Sequence, residues 1–216
     1  MELVSVIIPY FKKRKYINST LMSVFKQSYK KIEVILIFDE KKNKDLEYLK
    51  TLKKKDKRLQ IICNNKNLGA GFSRNIGIKA ARGQFICFID ADDLWKKNKI
   101  TKQLLFMKKN DYFITHTDYE IVDKNNEVVG YRSARNFLTL SSLLKSCDIG
   151  LSTVMIKKKI LSKNTLFADF KTKEDFVLWL KILKKDIKIY SFRSNLTKWR
   201  KTEDSLSSSV LQKLKD

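Results

Sequence analysis

The sequence is poor in the residues that punctuate a chain, cross-link it or bind metals. Among 216 residues there is one proline, Pro9, one histidine, His116, and only six glycines. No Pro/Gly-rich linker and no internal repeat divides it, so a single sizeable core is expected. Three cysteines, Cys63, Cys87 and Cys147, are an odd number without CxxC spacing. They point to reduced thiols rather than a disulfide framework, with Cys87 in strand core. A lone imidazole cannot build a structural zinc site, and His116 is expected as a packed strand residue. No apolar run approaches a bilayer span, and no cleavable leader pattern opens the chain. The expectation is a cytoplasmic protein that reaches a membrane only from its surface. Acids are also scarce, 23 against 46 lysines and arginines, for a formal charge of +23. Basic clusters at 12–15, 53–55 and 157–159 would attract nucleic acid, anionic lipid or phosphorylated substrates, or simply form solvated faces.

What is present is an alternation of short apolar runs and helical periodicity. Val4 to Ile8 reads as a strand stopped by Pro9, and Tyr16 to Phe25 as a helix carrying Ile17, Leu21 and Val24. Ile32 to Phe38 is a second strand ending at Asp39 and Glu40. A helix bearing Leu46, Leu49 and Leu52 then leads to a third strand, Leu59 to Cys63. This pattern predicts βαβ units and a mostly parallel sheet. In Asn67 to Gly77, Gly69 and Gly71 permit a sharp turn, small residues permit close helix packing, and Arg74 could reach an anion at the strand ends.

The stretch FICFIDADDL, Phe85 to Leu94, is the centre of the reading. An apolar strand ends abruptly in Asp90, Asp92 and Asp93, at the edge where open α/β sheets bind ligands. Alternation along an extended chain would point Asp90 and Asp92 the same way, a pair of hard oxygen donors suited to Mg²⁺ or Mn²⁺ shared with phosphates. The alternative is a solvated turn with an Asp capping a helix from Trp95 to Met107. Further on, Tyr112 to Val122 and Glu127 to Tyr131 predict strands joined at Asn125-Asn126, Phe137 to Leu144 a short helix, and Leu151 to Ile156 a strand. Glu174 and Asp175 open a largely buried helix, where Thr172 and Asp175 approximate a capping box. Ile187 to Phe192 and Leu196 to Trp199 are expected as late strands, and residues 206–216 as a short amphipathic tail.

SVIIPYF, QSYKKIEVILIFD, NLGAGFSRNIGIKAARGQFICFIDADD, KEDFVLWLKIL and WRKTEDSLS occur in an order that resembles the inverting family 2 glycosyltransferases with the GT-A fold. The resemblance implies a Rossmann-like α/β domain whose mostly parallel central sheet is flanked by helices, with a small antiparallel section in the C-terminal half. Residues 1–94 would form the nucleotide-binding half, and 95–205 the acceptor and catalytic-base half. Pro9 and Tyr10 would line the nucleotide pocket, and Asp39 would accept a hydrogen bond from uracil. Arg74 would lie near the diphosphate, with Asn75 supporting the loop. Asp90 and Asp92 would form the DxD motif that contacts ribose and a Mn²⁺ or Mg²⁺ ion. Asp175 would be the general base, with Glu174 helping to place acceptor or base, and Arg200 would sit in a C-terminal loop over donor phosphate.

The implied partners are a UDP-sugar donor and a glycan or lipid-linked glycan acceptor. Peripheral contact with an anionic membrane, at the inner face of the plasma membrane, would suit the charge; nucleic acid is not expected. Two departures stand out. Phe38 and Glu40 replace an acid and a glycine usual around the uracil-reading position, and Thr202 lies near where the late segment often has a histidine. A sugar-nucleotide pyrophosphorylase would need a glycine-rich phosphate loop near the start, which is absent. An inactive carbohydrate- or nucleotide-binding relative and a basic nucleic-acid-binding protein are the remaining alternatives.

Overall fold

The computed structural model of the protein describes residues 2–202. The expected tail at 206–216 and most of the WRKTEDSLS segment lie outside these residues. A nine-stranded sheet is built from β1 (Val4–Tyr10), β2 (Ile32–Phe38), β3 (Leu59–Cys63), β4 (Phe85–Phe88), β5 (Leu94–Trp95), β6 (Ile114–Val122), β7 (Val128–Arg132), β8 (Met155–Lys157) and β9 (Tyr190–Arg200). The order is β3-β2-β1-β4-β8-β6-β9-β5, with β7 paired to β6. β1 to β4 pair in parallel, β8 joins β4 and β6 antiparallel, and β9 runs parallel to β6. The class is thus the expected α/β fold.

Both faces of β1, β2 and β4 are covered, which explains how strongly apolar these strands are. In β2, Val34, Leu36 and Phe38 enter one core with helices α1 (Arg14–Phe25), α2 (Lys44–Lys55) and α4 (Lys99–Lys109). Ile35 and Ile37 enter the other with α3 (Ala70–Ala80), α5 (Leu140–Lys145) and α6 (Glu174–Leu183). α2 has Asn43 as its cap, accepting from the Asp45 amide at 2.8 Å, with Asp45 and Glu47 in the first turn and Lys53 to Lys55 in the last. Both ends therefore suit the helix dipole.

Several boundaries differ from expectation. β1 runs through Pro9 to Tyr10. Ile7 bonds toward β4, so the nitrogen of Pro9 faces the same side, where β4 has already ended at Phe88 and no donor is missed. Leu94 and Trp95 are not helical: they pair with Lys198 and Thr197 of β9, and the helix starts at Lys99. Phe137 bridges Ile189 rather than opening a helix, which begins after the Thr139 cap. Leu151–Thr153 is a 3-10 turn, and only Met155–Lys157 is strand. The two late strands are one, β9, broken in register near Asp118 of its partner. The capping box at Thr172 does not form, because Lys173 adopts φ 63° and no side chain caps α6. No helix among the described residues is long and apolar enough to cross a membrane.

Candidate active site

The C-terminal ends of β1, β2 and β4 lie side by side in the sheet, and Arg74 of α3 links the turn after β4 to the start of α6. β4 hands over to a tight turn rather than continuing extended. The Asp93 amide bonds back to the Asp90 carbonyl at 3.1 Å, so strand alternation does not orient Asp90 and Asp92 as the sequence suggested. Each acid instead meets a different partner. Asp90 Oδ1 takes the Arg74 guanidinium at 2.7 Å, and Asp92 Oδ2 takes the Lys13 ammonium at 2.9 Å. Asp93 is buried, accepting from the Ser152 hydroxyl and from the Arg200 amide. Burial, reinforced by Asp92 and Asp90, pushes its carboxyl well above the usual range. Asp92 is also raised by burial, against the pull of Lys13.

Arg74 ties the two halves together. Its guanidinium is buried over the Phe167 ring and also bonds Glu174 Oε1 at 2.6 Å, one hundred positions along the chain. The fork therefore joins the acidic turn to the start of α6. Gly71 permits this approach, since a Cβ there would lie 3.1 Å from both the Ala168 carbonyl oxygen and Glu174 Cγ. Asn75 supports the same contact by bonding both backbone polar groups of Phe167, at 2.9 and 3.0 Å. Asp175 is half-buried beside Glu174. Desolvation raises its carboxyl above the ordinary range, and the charges of Glu174 and Asp90 add to this. A carboxyl held there is a better proton acceptor than an exposed aspartate.

Other expected site residues fall differently. The Tyr10 ring is fully buried, stacked on Phe38, with its hydroxyl donating to Asp45 at 2.6 Å. Asp39 is buried too, and its carboxylate accepts from the Leu68 and Gly69 amides, both at 2.8 Å, and from Asn64 at 2.7 Å. It fixes the left-handed Gly69 (φ 87°) that starts α3. The neighbouring Glu40 accepts from Asn43 and from the Lys12 amide, between the β1 and β2 ends. Its only signal in the sequence was adjacency to Asp39. Arg200 is the last residue of β9, not part of a loop. It bonds the Asp92 carbonyl at 2.9 Å and the Asp123 carbonyl at 3.0 Å and stacks on Tyr16, bracing the acidic turn from beneath.

The acids expected to hold Mn²⁺ or Mg²⁺ already have partners in the chain. Asp92 is matched by Lys13, Asp90 by Arg74, and Asp93 is enclosed. Among the described residues no group of three His, Cys, Asp or Glu could hold a metal ion. Thr202, near where the late segment of the family often has a histidine, accepts from Lys13 at 3.4 Å through its hydroxyl. The described residues form no all-protein site for a divalent ion; one on Asp90 or Asp92 would be shared with phosphates.

Residues 5–167 match the family model described as glycosyl transferase family 2. The Escherichia coli protein named UDP-Glc:alpha-D-GlcNAc-diphosphoundecaprenol beta-1,3-glucosyltransferase WfgD is 36% identical over 214 residues, 99% of this chain and 83% of that protein. WfaP of the same species, with the same activity in its name, is 35% identical over 99% of this chain and 83% of its own. Among solved structures, S. aureus TarS 1-349 in complex with UDP-GlcNAc has a TM-score of 0.78 at 23% identity, a likeness of fold. It covers 95% of this chain, which spans 60% of that TarS chain. On the family match and the length of these similarities, the chain belongs to glycosyl transferase family 2 and is a glycosyltransferase.

Proposed function

We propose that this glycosyltransferase moves a sugar, with inversion, from a UDP-sugar to a hydroxyl of a lipid-linked glycan during assembly of cell-surface polysaccharide. The observation that carries the proposal is Arg74, bonded at once to Asp90 and Glu174, which brings the acidic turn and Asp175 to one cleft. Residues 1–94 bind the nucleotide, and 95–205 supply the base and acceptor side. Relatives named for UDP-Glc and a diphosphoundecaprenol acceptor support the donor and acceptor classes.

The diphosphate sits at the turn after β4 and the uridine over Pro9. Asp39, which also holds the 67–69 loop, accepts a hydrogen bond from uracil. Asp175 takes the proton of the acceptor hydroxyl as its oxygen bonds to the anomeric carbon, while the bond to the diphosphate breaks on the opposite face. One base on one side and one departing anion on the other give inversion. Asp90 orients the donor, and Glu174 holds Asp175 in place through Arg74. The enzyme works at the cytoplasmic face of the membrane, where a +23 chain is drawn to anionic lipid, and nucleic acid is not its partner.

The test is Asp175→Asn, assayed for sugar transfer to a diphospholipid-linked GlcNAc and, separately, for UDP affinity by calorimetry. Turnover is expected to fall by about 10²- to 10⁴-fold, the usual worth of a general base, with UDP affinity unchanged. Transfer at the wild-type rate would remove Asp175 from the role.

A further inference from the structure

We infer that Lys13 is the chain's own cation for the donor diphosphate, so that nucleotide binding does not depend on a divalent metal. The inference rests on the reading of the cleft as a UDP-sugar site, and on geometry that a row of surface lysines in the sequence did not disclose. Lys13 caps α1 at the C-terminal edge of β1, between the β1 strand end and the acidic turn. Its ammonium lies 2.9 Å from Asp92 Oδ2 and 3.4 Å from Thr202 Oγ1. Its side chain is only 24% exposed and that of Asp92 13%. Asp92 Oδ2 is thus already paired with a cation of the chain's own.

The other positive groups nearby are already committed. Arg74 spans Asp90 and Glu174, and the Arg200 guanidinium points its nitrogens at the Asp92, Asp123 and Lys124 carbonyls and at Asn126. Lys13 has one carboxylate and one hydroxyl, leaving a third donor direction on a group with three. An ammonium is a compact point charge well suited to phosphate oxygen. Arriving diphosphate therefore finds Lys13 fixed at the turn, held in place by Asp92 and Thr202. The Thr202 hydroxyl serves the lysine as an acceptor.

The experiment uses the full chain and two probes. UDP is titrated calorimetrically in EDTA and in Mn²⁺. Wild-type affinity is expected to differ by less than about threefold between the two, since the fixed charge is already present. Lys13→Met keeps the stem and removes the charge; it should lose at least about tenfold in EDTA and regain most of it in Mn²⁺, while Lys13→Arg keeps binding in EDTA. Wild type that needs Mn²⁺ to bind UDP, or Lys13→Met that binds like wild type in EDTA, overturns the inference. The second probe is Mn²⁺ alone, followed by loss of the free-ion electron paramagnetic resonance signal. Lys13→Met should take up the ion at least about tenfold more tightly than wild type, because Asp92 is released. Equal uptake also overturns the inference. If UDP binds none of the proteins while the Mn²⁺ difference holds, the proposed function fails and the place of Lys13 stands.

Discussion

Replacing Arg74 with methionine separates two opposed effects inside the cleft. Methionine keeps an apolar stem against Phe167 and removes a guanidinium whose burial is itself unfavourable; losing that desolvation favours the variant. Against it stand the two carboxylates left behind. The Asp90 side chain is 35% exposed and rehydrates, so its loss of a partner counts for little. The Glu174 side chain is only 11% exposed, and its Oε1 loses a 2.6 Å bond. Breaking a buried pair from one side costs about 3–5 kcal/mol, and the Glu174 contact, only partly enclosed, belongs at the lower end, about 3 kcal/mol. In a domain of this size each kcal/mol moves the midpoint by about 2–4 °C, so a fall of about 6–12 °C is expected. Thermal unfolding followed by far-UV circular dichroism measures it. A double variant identifies the cause: adding Glu174→Gln to Arg74→Met recovers a large part of the loss. A single variant within about 2 °C of wild type, or a double variant no more stable than the single, would refute the account.

His116 and Gly77 give independent checks on the scaffold. Burial holds the His116 imidazole neutral and pushes its pKa down to about 4 from 6.5, with Nε2 against the Arg135 carbonyl. Between these values the unfolded chain binds a proton that the native state does not, so stability present above about pH 6.5 is lost as pH falls toward 4. The total is about 3 kcal/mol. Urea midpoints from about pH 7 to 4 should show this slope in wild type, and a flatter one in His116→Gln; parallel curves would count against it. Gly77→Ala would place a Cβ 2.5 Å from Ile7 Cγ2, forcing α3 off β1. The helix-propensity gain of about 1 kcal/mol offsets only part of an overpacking cost of about 1–3 kcal/mol. A lower urea midpoint with unchanged slope is expected, and an unchanged or higher midpoint would show that β1 yields there.

The parallel half of the fold was legible because its signals are local. Ile32 to Phe38 and Leu59 to Cys63 coincide with β2 and β3, since short apolar, β-branched runs mark strands of a parallel sheet. The other half is specified by distant partners. Leu94 and Trp95 have no local reason to extend; they do so against Lys198 and Thr197, about a hundred positions away. Phe137 is drawn from its helical pattern by Ile189. Lys173 takes a left-handed conformation that overrides the capping pattern at Thr172. In each case a tertiary contact outweighs a local preference worth about 1 kcal/mol or less.

In the site, residue types were legible and their partners were not. Lys13 stood in a run of basic residues with nothing to distinguish it from Lys12 or Lys15; only the fold brings it to Asp92. The Asp39 carboxylate accepts from Asn64 and from the amides of Leu68 and Gly69, contacts that neighbouring sequence does not announce. By fixing the turn at Gly69, Asp39 sets where α3 begins, and the fifth residue of that helix is Arg74, which joins Asp90 to Glu174. Glu174 is the first residue of α6 and Asp175 the next. An acid at the end of the second strand thus positions the proposed base through a helix and one guanidinium, without touching the base itself.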